Sequence, residues 1–86
     1  MGSVAVTLRV MPESPDVDLE ALKAGVERVL RPSFRGLKEE PVAYGLRAIV
    51  TIAIVEDASG GSERLEQALA ALPGVGSVET VDVTLV

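Results

Sequence analysis

The run Leu46–Val55 limits the fold of this chain more than any other stretch. Leu46, Ala48, Val50, Ile52 and Ile54 share one parity, and Arg47, Ile49, Thr51, Ala53 and Val55 share the other. Period-two spacing rich in β-branched residues reads as a β-strand. Both faces are apolar, so the strand belongs in the interior of a sheet, with neighbours on either side. The rest of the chain must supply those neighbours and cover at least one face.

Residues 4–11 alternate in the same way, with Val4, Val6, Leu8 and Val10 on one face and Ala5, Thr7, Arg9 and Met11 on the other. Pro12-Glu13-Ser14-Pro15 ends that strand. A helix follows, carrying Leu19, Leu22, Val26 and Val29 or Leu30 at helical spacing, and Pro32 stops it. Asp16, Asp18, or Ser14 with Pro15 behind it are the candidate N-terminal caps. Gly25 lies inside the helix, where it costs about 0.5–1 kcal/mol relative to Ala, and close approach of helix to sheet is the expected reason. A second strand ends near Glu40–Val42; Gly36 marks a bend or bulge in it, and Pro41 places it at an edge or a terminus. Phe34 is assigned to the core. Glu56–Gly61 reads as a loop, Ser62 as the cap of a helix through Leu72, and Pro73-Gly74 as its end. Val75–Val86 is the last strand, with a parity change that predicts a bulge near Glu79 or Thr80.

The order is therefore β-α-β-β-α-β, two strand–helix–strand halves joined at residues 43–45. Right-handed crossovers put both helices on one side. The predicted architecture is a ferredoxin-like α/β sandwich, a four-stranded antiparallel sheet in order 4-1-3-2. The 86 residues fit a single domain, 1–86. Ala5, Thr7, Arg9, Ile49, Thr51 and Ala53 are the expected residues of the open sheet face.

Composition removes several chemistries. There is no Cys, hence no disulfide, thiolate metal site or cysteine nucleophile, and no His to serve as a neutral-pH base. The remaining acids sit where capping and solubility account for them, and the two carboxylates Asp16 and Asp18 are a weak metal signal. Gly60-Gly61 lacks the spacing and lysine of a phosphate loop. No cofactor is expected. A net charge of −5 opposes sequence-independent nucleic-acid binding, and none of the expected open-face residues is an aromatic of the kind that RNA-binding sheets use. No run approaches the roughly 20 apolar residues of a membrane span, and no signal-peptide pattern opens the chain, so a cytoplasmic location is expected.

Charge is uneven. Residues 28–47 hold Arg28, Arg31, Arg35, Lys38 and Arg47 against Glu39 and Glu40, in a chain with 13 acidic and 8 basic side chains overall. That stretch is either ordinary surface or a patch for an acidic partner. Within it lies Glu40-Pro41-Val42-Ala43-Tyr44-Gly45-Leu46-Arg47, which carries the only tyrosine. At a strand junction, Tyr44 is either a packed turn residue or a contact with a partner, for which an apolar ring with a polar tip is well suited.

Met11–Leu19, Glu39–Ala48 with its proline–x–x–aromatic–glycine–leucine–basic pattern, and Val75–Val83 resemble the archaeal elongation factor 1-beta family of guanine nucleotide exchange domains. The resemblance covers essentially the whole chain. It implies a ferredoxin-like fold and exchange of GDP for GTP on elongation factor 1-alpha, the GTPase that delivers aminoacyl-tRNA to the ribosome. It matches Tyr44 to the family aromatic that inserts against the GTPase switch region, with Val42, Ala43 and Gly45 shaping the loop and Arg47 at a basic position beside it. Such a factor performs no covalent chemistry. The eukaryotic domains carry a lysine near the C-terminus that reaches the magnesium and phosphate region. Val83-Thr84-Leu85-Val86 has none, so that role does not transfer, and Arg9 and Arg47 are the candidate replacements. The competing readings are a ferredoxin-like regulatory or oligomerisation module and an RNA-binding domain.

Overall fold

The computed structural model describes residues 2–56 and 61–86, with side chains in the second stretch from residue 63 onward. Its elements are β1 (Ser3–Pro12), α1 (Leu19–Leu30), β2 (Phe34–Pro41), a tight turn at Ala43–Gly45, β3 (Arg47–Glu56), α2 (Gly61–Ala70) and β4 (Val75–Leu85). The strands form one antiparallel sheet in order β2-β3-β1-β4, the arrangement expected from the sequence. β3 is interior, as its two apolar faces require.

Val4, Val6, Leu8 and Val10 are buried against Leu22, Val26 and Leu30 of α1 and Leu69 of α2, so both helices cover the same face of the sheet. Phe34 is partly buried against this core. Asp18 is the cap of α1: its backbone is extended, and its carboxylate accepts from the Glu20 and Ala21 amides at 3.0 and 3.2 Å. α2 is fastened to β4 by the Thr80 hydroxyl, which donates to the Glu66 carboxylate. Most of the expected 56–61 loop, and the capping role assigned to the Ser62 side chain, lie outside the described residues.

Three details differ from expectation. The faces of β3 are the reverse of those assigned: Ile49, Thr51 and Ala53 are buried under the helices, while Val50, Ile52 and Ile54 lie on the open face. Register decides this, because Val6, Leu8 and Val10 stand opposite Ala53, Thr51 and Ile49, and directly opposed residues share a face. The buried Thr51 hydroxyl is satisfied by the Gly36 carbonyl at 2.8 Å. Gly25 makes room for the turn that follows α2 rather than for the sheet: a Cβ there would lie 3.1 Å from the Leu72 side chain. β4 has a bulge at Val81, beside the site expected near Glu79 or Thr80, and a second, unexpected irregularity at Gly76, between Val75 and Ser77. The β2 irregularity lies between Phe34 and Gly36, as the glycine predicted. Among the described residues, no helix is long and apolar enough to cross a membrane.

Candidate functional site

The β2–β3 connection closes with two backbone hydrogen bonds, Val42 N–H to the Leu46 carbonyl at 2.9 Å and Leu46 N–H to the Ala43 carbonyl at 3.2 Å. The second bond spans a four-residue turn whose central residues, Tyr44 (φ 61°, ψ 32°) and Gly45 (φ 77°), both have positive φ. Positive φ at both central positions is the hairpin arrangement that matches the twist of the flanking strands, and its usual first central residue is Asn or Asp. Gly45 fits without strain. Tyr44 does not: left-handed backbone costs an ordinary L-residue about 1–2 kcal/mol.

No packing offsets that cost. Tyr44 is 94% exposed, the largest value for an exposed large apolar side chain among the described residues. Val42, Ala43 and Gly45 are also exposed. The fold therefore holds an aromatic ring in solvent at the tip of a hairpin, on backbone that favours another residue type. Behind the tip, Gly45 and Arg47 face Pro12, Ser14, Pro15, Val17 and Leu19 across a shallow groove.

Arg47 is tied to the base of the hairpin. Its guanidinium lies 3.2 Å from one Glu39 oxygen, and the Lys23 ammonium of α1 donates to the other at 2.6 Å. Glu20 joins the same ammonium at 2.9 Å. The chain Glu20–Lys23–Glu39–Arg47 thus links α1 to both strands flanking the turn. Glu39 was not singled out from the sequence. The available signal was its parity: Glu39 stands opposite buried Ile49 and so faces the helices, an unusual place for an acid without a partner.

The Lys23 hydrogen bond, opposed by desolvation and reinforced by Arg47, holds the Glu39 carboxyl below the usual glutamate range. Hydrogen bonding to Glu39, and then to Glu20, raises Lys23. A lowered carboxylate contributes stability above its unfolded value and loses it as pH falls through the folded value. A raised ammonium contributes below its unfolded value and loses it as pH rises through the folded one. The pair therefore supports the fold across neutral pH and fades at both ends. Glu39→Gln is expected to narrow the gap between urea midpoints measured at about pH 7 and about pH 3.

Arg9 lies apart from this cluster. It projects from the open face, its Nη1 3.0 Å from Glu79 on β4 and its Nε 3.4 Å from Glu40 on β2. The arginine reaches two strands across the sheet. The structure thus groups Val42, Ala43, Tyr44 and Gly45 in one hairpin tip with Arg47 at its base, and leaves Arg9 engaged in ion pairs on the sheet. The corrected open face, with Val50, Ile52 and Ile54 beside Ala5 and Thr7, still presents no aromatic ring.

Comparison with known proteins gives a consistent result. Residues 5–86 match the family described as the EF-1 guanine nucleotide exchange domain. Elongation factor 1-beta of Methanosphaerula palustris is 51% identical over 85 residues, covering 99% of both chains. That of Methanobrevibacter smithii is 51% identical over 84 residues, covering 95% of this chain and 94% of the relative. That of Methanocaldococcus jannaschii is 44% identical over 88 residues, covering 99% of both. Among solved structures, the ACT domain from the GTP pyrophosphokinase of Chlorobium tepidum superposes with a TM-score of 0.66 at 16% identity, covering 92% of this chain and 99% of that one. The C-terminal domain of the MgtC protein from Mycobacterium tuberculosis gives 0.67 at 18% identity, covering 99% and 89%. At such identities these two structures speak to the fold alone.

Proposed function

The chain belongs to the family of EF-1 guanine nucleotide exchange domains, and from that membership we propose that it promotes exchange of GDP for GTP on the GTPase elongation factor 1-alpha during protein synthesis in the cytoplasm. The observation that carries the reading to particular residues is the hairpin tip. Tyr44 is almost fully exposed and sits on left-handed backbone, so it costs the fold energy without packing to offset it. Strain of this kind collects where a partner uses the residue.

The mechanism is linkage. A factor that binds the nucleotide-free GTPase more tightly than the GDP-bound form weakens GDP by the same factor. Tyr44 supplies the insertion: a rigid aromatic ring that loses little rotamer entropy on burial and is displayed clear of its own fold. Placed between the switch elements, it disturbs the ligation of magnesium and phosphate without this chain touching either. Gly45 permits the turn, while Val42 and Ala43 flank the ring. Arg47, held in reserve by Glu39, offers a cation beside the ring for an acidic group of the partner. Arg9, paired to Glu40 and Glu79, is a secondary contact that must exchange those partners to bind. No general acid, base, nucleophile or cofactor takes part, so the factor is not an enzyme in the covalent sense.

The test is release of a fluorescent GDP analogue from elongation factor 1-alpha. Adding the protein is expected to accelerate release in proportion to its concentration until binding saturates. A release rate that does not change overturns the proposal.

A further inference from the structure

Two cations share one carboxylate at the base of the hairpin, and they do not hold it equally. One Glu39 oxygen lies 2.6 Å from the Lys23 ammonium, while the other lies 3.2 Å from the Arg47 guanidinium. The lowered Glu39 carboxyl carries the same ranking: the Lys23 hydrogen bond is its largest cause and Arg47 a smaller one. Exposure grades along the network. The side chains of Lys23 and Glu39 are 22% and 27% exposed, that of Arg47 59%. The inner pair is therefore the firm one, and the looser, more open contact is the one that a partner can reach.

Arg47 cannot leave Glu39 freely. Glu39 faces the helices, opposite buried Ile49, and a half-buried carboxylate stripped of its partners is far costlier than an exposed one. With Lys23 in place, Glu39 keeps a charge-assisted hydrogen bond after Arg47 has gone. Lys23 is itself steadied by the exposed Glu20 at 2.9 Å. We infer, resting on the exchange reading of the hairpin tip, that Lys23 is a positioning residue for partner binding: by keeping Glu39 paired, it lets the Arg47 guanidinium pass from Glu39 to a carboxylate of the GTPase.

This extends recognition to a helix that lies outside the hairpin. In the free protein Glu39 aims Arg47 and keeps it from other partners. In the complex the network divides into two pairs, Lys23 with Glu39 and Arg47 with the GTPase, and no half-buried charge is stranded. Without Lys23, Glu39 has Arg47 alone, and every binding event must either break that pair at full cost or forgo the arginine.

Stimulated GDP release, measured over a range of factor concentrations, tests this. Lys23→Met is expected to raise the half-saturating concentration about three- to tenfold, within the range for coupled neighbours, while the maximal rate stays near native. Lys23→Arg keeps the cation and is expected to stay within about twofold of native. Adding Glu39→Gln to Lys23→Met removes the carboxylate that traps Arg47, and is expected to bring the half-saturating concentration back toward native. Adding Glu20→Gln instead makes the same change in net charge but leaves Glu39 holding Arg47, so the defect is expected to persist. Opposite outcomes from two double variants of equal charge separate this hand-over from plain attraction between Lys23 and an acidic partner. A merely structural tie predicts both double variants to be at least as impaired as Lys23→Met, and thermal midpoints correct each for its folded fraction. The proposal is overturned if Lys23→Met keeps the native half-saturating concentration, if Glu39→Gln does not rescue it, or if Glu20→Gln rescues it equally. Native protein that fails to stimulate release overturns the exchange reading itself, and this role of Lys23 with it.

Discussion

Tyr44→Asn is expected to raise the stability of this protein and sharply weaken its action on the GTPase. Asparagine is at ease in left-handed backbone, and Asn-Gly is the preferred pair for a turn with two positive-φ residues. The substitution relieves much of a mismatch of about 1–2 kcal/mol and sacrifices no packing, since the ring is 94% exposed. Chemical denaturation should show a higher urea midpoint at unchanged slope. In the GDP-release assay the same variant loses its only aromatic contact. Central aromatic anchors cost about 2 kcal/mol or more when removed, roughly a 30-fold fall in stimulated release at subsaturating factor. Opposite signs in the two measurements distinguish a residue kept for a partner from one kept for the fold. A variant that lost both stability and stimulation would assign Tyr44 to the hairpin instead.

Leu8→Ala should behave in the reverse manner. Leu8 is fully buried, in the strand between β3 and β4 and opposite Thr51 and Thr80. Truncating a buried leucine costs about 2–5 kcal/mol, the spread reflecting how far the cavity collapses. The sheet backbone around Leu8 is held on both sides, so little collapse is available and the upper half of that range applies. Domains of this size have a total stability of only about 5–13 kcal/mol. The urea midpoint is expected to fall by about 1–3 M, and the thermal transition with it. The fraction still folded should stimulate release normally once corrected for the unfolded population, because Leu8 sits in the core opposite Thr51, four residues along β3 from Arg47. A midpoint shift well below 1 M would mean that the core repacks around the loss.

The order of elements was legible because each strand and helix carries its own periodicity. β1 alternates cleanly between apolar and mixed faces, so its buried side followed at once. β3 does not. With valine, isoleucine and alanine on both sides, its pattern indicates an interior strand and is silent on which side meets the helices. Only pairing with β1, which sets Ile49 against Val10, resolves the choice. Three side chains near the start of α1 had the chemistry of a cap, and the backbone angles that select Asp18 are a property of the folded loop. At the site, proline, tyrosine and glycine marked a turn, but the positive φ of Tyr44 is invisible to composition, which would have favoured asparagine there. The engagements of Arg9 were equally hidden. Residues 9, 40 and 79 meet only because the strand order places β1 between β3 and β4.

The hairpin tip closes on itself. Two backbone hydrogen bonds complete it, and its four residues from Val42 to Gly45 are all exposed. Such a loop is a portable cassette: its conformation is written in its own six or so residues rather than borrowed from the core. Recognition can then drift, sharpen or change partner through substitutions that the sheet never registers, and the sheet can repack over evolutionary time without retuning what the tip recognises. The same separability makes the loop a candidate for grafting onto any two-stranded hairpin of matching twist.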